Sequence, residues 1–160
     1  MVMSDSIHFT RNLVKGRIAE TIFAQMFREN GNYTVLEFGY EKVVPQLVGL
    51  GHDHSDPVIE TLRVAPDFAV IKQDTGQVRL IEVKFRSYLN KSEILTCAAK
   101  MHVSWNPSFL FVASLDGFYF DEITKIIENE GEISLLEEIP ESDQANYLKI
   151  LQDFESQQKS

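Results

Sequence analysis

Val78-Arg79-Leu80-Ile81-Glu82-Val83-Lys84-Phe85 alternates in a two-residue period that puts Glu82 and Lys84 on one face of a strand and Ile81, Val83 and Phe85 on the other. A second strand-like run, Val64 to Lys72, precedes it across Gln73-Asp74-Thr75-Gly76-Gln77, whose polar residues and glycine suit a tight antiparallel turn. If Thr75-Gly76 is the loop, paired positions sum to 151, which sets Asp67 opposite Lys84 and diagonal to Glu82. A turn centred one residue earlier gives a sum of 149 and sets Asp67 directly opposite Glu82. Both registers bring two carboxylates and an ammonium onto one patch, and only a one-residue slip separates them.

Two carboxylates this close repel unless something positive lies between them, and hard oxygen ligands with open positions suit Mg²⁺ or Mn²⁺. The backbone carbonyl of Val83 could add a ligand, and Lys84 beside the ion could assist an attacking water or offset charge on a phosphorane-like transition state. That is the chemistry of phosphodiester hydrolysis. Pro66, just before Asp67, cannot donate to a ladder, so a sheet edge or bulge is expected there. The competing reading is a solvated strand face carrying a cross-strand ion pair, worth under about 1 kcal/mol.

The elements that must position these groups follow from periodicity. From Thr10 to about Glu29, Val14, Ile18, Ile22 and Met26, with Ala19, Phe23 and Phe27, fall at helical spacing, and Asn30-Gly31 ends the run. Tyr33 to Tyr40 reads as a strand, and Glu41 to Leu62, with Pro45, Gly49 and Gly51, as a long loop with one short element. Asn90 followed by Glu93 opens a second helix bearing Ile94, Leu95, Ala98, Met101 and Trp105. Phe109 to Leu115 is a continuous apolar run, as a strand covered on both faces would be, and Asp116-Gly117 turns the chain. Residues 121 to 130 and 142 to 156 have helical spacing. This order predicts an α/β fold: a mixed β-sheet with an antiparallel hairpin, flanked by helices, with the strand at Phe109 parallel to the one carrying Glu82 and extra C-terminal helices.

Ala65-Pro66-Asp67, then Glu82-Val83-Lys84 closing an apolar strand, together with a preceding helix carrying Gly16-Arg17-Ile18-Ala19-Glu20, resembles the PD-(D/E)xK nuclease superfamily. The resemblance covers about Thr10 to Leu115 and implies a restriction-endonuclease-like core and Mg²⁺- or Mn²⁺-dependent, endonuclease-like cleavage of DNA or, less often, RNA. It implies Asp67, Glu82 and the Val83 carbonyl as metal ligands, Lys84 as the group assisting the water, and Glu20 as a further metal or supporting carboxylate. The chain then divides into a nuclease-like core, 10–115, and an acidic helical C-terminal extension, 116–160, within one domain. Glu20 reads equally as a surface helix residue three positions from Arg17. Some members of this superfamily are non-catalytic. The alternative is therefore an interaction protein that keeps the fold within a nucleic-acid-processing or mobile-element complex.

Composition bounds these readings. The chain has 160 residues, 44% hydrophobic and 24% charged, which suits one globular domain. Its net charge of −9 at first argues against a polyanionic partner. The excess is local, however: residues 1–105 carry twelve basic and twelve acidic side chains, and residues 106–160 carry three and twelve. A neutral body leaves room for a basic patch, for which Arg79, Arg86, Lys91 and Lys100 are the candidates, while the acidic third is open to a homodimer or protein partner. A lone Cys97, expected to be a small core residue, and an apolar run far short of the ~20 residues that span a bilayer point to the cytoplasm and away from membranes. His52, Asp53, His54 and Asp56 have metal-binding residue types without a remote third ligand and read as a loop near the cleft. His102 is expected to be half-buried.

Overall fold

Ala19, Ile22, Phe23, Met26 and Phe27 are buried along one side of the first helix, and this stripe seats it on the sheet. In the computed structural model, which describes residues 2–39 and 57–158, α1 spans Val2–Asn30 and is closed by Gly31 at φ +83°. It starts eight residues before the expected Thr10. Residues 6 to 14 are exposed, Val14 among them, so these added turns continue the helix without joining its apolar stripe.

Strand β1 is Tyr33–Glu37, shorter than expected, with Tyr33 and Val35 buried and Leu36 half exposed. Residues 40–56, which include the His52-Asp53-His54 run and Asp56, lie outside the described residues. Helix α2, Pro57–Arg63, forms where one short element was expected. Strand β2, Phe68–Lys72, begins four residues later than Val64, and β3, Val78–Phe85, matches its expected bounds. Asn90 caps α3, Lys91–Ser104, by accepting from the N–H groups of Ser92 at 3.0 Å and Glu93 at 3.2 Å. Glu93 itself turns to Arg86, 3.1 Å away.

Strand β4, Phe109–Ser114, runs parallel to β3, with Ile81 beside Phe109 and Phe85 beside Ala113. Strand β5, Gly117–Glu122, was not anticipated and pairs antiparallel with β4. Helices α4, Ile123–Glu128, and α5, Glu141–Gln158, follow. The result is an α/β fold with a five-stranded mixed sheet in the order β1-β2-β3-β4-β5. One core joins α1 and Leu151 of α5 to Val35, Phe68, Val70, Ile81, Val83, Phe111, Phe118 and Phe120. A second joins Ile94, Ala98 and Met101 of α3 and Ile123 and Ile126 of α4 to Leu110 and Val112 on the other face. Residues after 115 thus complete both the sheet and the first core. No helix among the described residues is long and apolar enough to cross a membrane.

Candidate active site

The β2–β3 hairpin settles the register. Phe68 faces Ile81 and Ala69 faces Leu80, a sum of 149, so one step further Asp67 lies opposite Glu82. The loop is four residues long, Gln73 to Gly76, held by Lys72 N–H donating to the Gln77 carbonyl at 2.9 Å, with Gly76 at φ +72°. The paired ladder stops at Phe68, and the reason lies in Pro66. It has no N–H, and the carbonyls of Pro66 and Asp67 accept instead from Gly39 and Phe38, each at 2.9 Å. The chain before β2 thus follows β1 rather than β3, and a gap opens beside Val83.

The Asp67 carboxylate fills that gap. Its Oδ2 accepts from the Val83 N–H at 2.8 Å, taking the place of a ladder bond. A strand residue's N–H and C=O leave the backbone on the same side, so the Val83 carbonyl also faces this edge. Glu82 is hydrogen-bonded to Asp67 and lies 3.7 Å from the Lys84 ammonium. Its side chain is 13% exposed against 38% for Lys84. Burial first, then the hydrogen bond and charge of Asp67, push the Glu82 carboxyl from 4.5 up to about 9, with Lys84 pulling against them and Glu20 adding to them. Near neutral pH the Asp67–Glu82 pair therefore retains a proton.

Two cavities border this pair and share part of their lining. The larger, of about 670 Å³, is lined by Asn12, Gly16, Glu20, Asp67, Glu82 and Lys84 together with Arg17, Glu37, Lys100 and Cys97. The smaller, of about 500 Å³, shares the first six and adds Lys15, Val83, Phe85, Arg86 and Ser87. Asp67, Glu82, Lys84 and Glu20 thus line both cavities, Lys100 the larger one and Arg86 the smaller. Arg79 and Lys91 line neither cavity. Arg79 is paired with Glu138 and sits over the Phe109 ring, 5.0 Å from its centroid. Lys91 pairs with Glu132 at 3.6 Å on the surface. His102 is exposed rather than half-buried, because α3 turns that side away from the sheet. Cys97 packs at the margin of the second core and borders the larger cavity, and burial raises its thiol pKa.

Asn12, Lys15, Arg17 and Glu37 were not singled out from sequence. Asn12, Gly16 and Glu20 follow at four-residue steps, a helical line that includes the one mid-helix glycine, and that spacing was the available signal.

The chain matches no family model and no curated protein. Its chemistry is therefore read from the site. Among the described residues, no group of three or more His, Cys, Asp or Glu side chains is placed to hold a metal ion. The donor set is smaller: two touching carboxyls and one backbone carbonyl. Lys84 offsets part of the charge of this pair, and oxygen donors of this kind suit a hard divalent cation that keeps waters.

Proposed function

We propose that this chain is a divalent-metal-dependent nuclease of the PD-(D/E)xK type, with a restriction-endonuclease-like core, acting on DNA ahead of RNA, in the cytoplasm. The observation that carries this reading is the meeting of Asp67 and Glu82, sixteen and one residues from Val83, at the floor of an open cleft with Lys84 beside them. Asp67, Glu82 and the Val83 carbonyl would hold Mg²⁺ or Mn²⁺, with Glu20 supporting them from α1. When bound, the ion supplies Lewis-acid stabilisation of charge on the phosphoryl group and its attacking and leaving oxygens.

The chain's own residues do the rest. Lys84, partly exposed, places a positive charge at the cleft and can hydrogen-bond the attacking water as it loses its proton. Glu82, once deprotonated, leaves two carboxylates facing one another, which draws cations and keeps the scissile phosphate from settling there unneutralised. Arg17 and Lys100 in the larger cavity, and Arg86 in the smaller, supply countercharge to the phosphodiester backbone. The test is incubation of purified protein with DNA and RNA substrates in Mg²⁺ or Mn²⁺ beside Lys84→Ala. Metal-dependent cleavage that falls about 10²–10³-fold in the variant is expected. No cleavage of any substrate, or equal cleavage by Lys84→Ala, contradicts the proposal and leaves the interaction-protein reading.

A further inference from the structure

Lys15 stands on α1 beside Gly16 and lines only the smaller cavity. Its ammonium lies 3.0 Å from Oε2 and 3.2 Å from Oε1 of Glu155 on α5, and 5.5 Å from the centroid of the Phe85 ring. The two side chains are 17% and 10% exposed. A surface lysine samples many rotamers, but a carboxylate on one side and a ring on the other fix this head at the cavity wall. An ammonium has three N–H donors, more than the two oxygens of one carboxylate require.

Arg86 is fixed as well, donating from Nε to Glu93 at 3.1 Å and from a terminal nitrogen to the Phe85 carbonyl at 2.7 Å. The residues that the smaller cavity does not share with the larger are Lys15, Val83, Phe85, Arg86 and Ser87, which include two cations and no acid. A phosphodiester chain engaged at the shared carboxylates would occupy the cavity that these two cations also line. We propose that Lys15 and Arg86 form a subsite for a backbone phosphate flanking the one held at Asp67 and Glu82, and that Glu155 is a positioning residue holding Lys15 in place. The identity of the polyanion rests on the nuclease reading above. The acidic C-terminal helix then contributes a carboxylate that orients a phosphate-binding lysine.

The experiment is fluorescence anisotropy of an end-labelled single-stranded DNA oligonucleotide in EDTA, where no metal-dependent cleavage runs, across a salt series. Lys15→Gln and Arg86→Gln are each expected to weaken binding roughly three- to tenfold and to reduce the slope of log affinity against log salt by about 0.7. Lys91→Gln, outside both cavities, is expected to leave both unchanged. Glu155→Gln is expected to weaken binding, and tighter binding would show the helix as a mere repulsive surface and overturn its positioning role. The double variant Lys15→Gln/Glu155→Gln leaves no unpaired buried charge, so it guards against misfolding, and it is expected to bind as Lys15→Gln does. Wild-type affinity and slope in Lys15→Gln, Arg86→Gln and the double variant would overturn the subsite even if the wild-type protein cleaves DNA in Mg²⁺. Weakened binding in a protein that cleaves nothing would keep the subsite and remove the hydrolysis. A wild-type protein that binds no oligonucleotide overturns the subsite outright.

Discussion

At the scale of single residues, the proton on Glu82 links metal binding, stability and pH. Its carboxyl titrates near 9 in the folded chain and near 4.5 when unfolded, so between those values the folded state holds the extra proton. The stabilisation this contributes to the metal-free protein is complete below about 4.5 and is lost as pH rises toward about 9. Denaturant titrations at pH 6 and pH 8.5 in EDTA are expected to show lower stability at the higher pH, with the difference reduced in Glu82→Gln. An equal pH dependence in that variant would place the titration elsewhere. Metal binding follows the opposite sign: each ion must displace the proton, so apparent Mn²⁺ affinity should rise up to about tenfold per pH unit across this window. The meeting of Asp67 and Glu82 was legible in the two-residue period and the hairpin spacing. The proton they share was not, because it depends on how deeply the strands bury them.

At the scale of elements, the four-step line Asn12-Gly16-Glu20 brings α1 to the cleft, and Gly16 leaves space there. A Cβ built at Gly16 meets nothing within 4 Å. Gly16→Ala is expected to stabilise the protein by about 0.5–1 kcal/mol through helix propensity alone, read as a raised denaturation midpoint. A loss of stability would mean that the glycine serves a packing need that the open space does not reveal. Gly131 is the contrary case, at φ +95° with a built Cβ only 2.1 Å from the Lys91 carbonyl oxygen. There Gly131→Ala must shift backbone between α4 and α3 and is expected to destabilise markedly. Strand β3, the Asn90 cap and β4 were legible because each has a local pattern: alternation, an acceptor before a helical stripe, and an unbroken apolar run. β5 was not. Its Phe118-Tyr119-Phe120 alternation runs directly into Asp121-Glu122 and a helix, so the acidic residues drew the whole segment into an expected helical extension.

At the scale of the whole molecule, the acidic last third is built into the core. Leu151 is fully buried in the core that contains Phe23 and Phe111, and Arg79 is held by Glu138 from fifty-nine residues away. Leu151→Ala is expected to cost about 2–5 kcal/mol in chemical denaturation, and a change below about 0.5 kcal/mol would mean that α5 is a detachable appendage. Sequence could not place Arg79, because its partner lies across the fold and charge pairing between distant segments leaves no local pattern. It therefore read as a candidate for phosphate. Lys15 was missed for the same reason, since only the folded chain brings Glu155 to it.

The measurement that bears most directly on the site is calorimetric titration of Mn²⁺ into the protein at neutral pH, repeated in two buffers of different ionisation enthalpy. The expected result is one ion per chain, bound with release of about one proton and lost in both Asp67→Asn and Glu82→Gln. Absence of binding, or binding that survives both substitutions, would contradict a metal-dependent site on this strand pair.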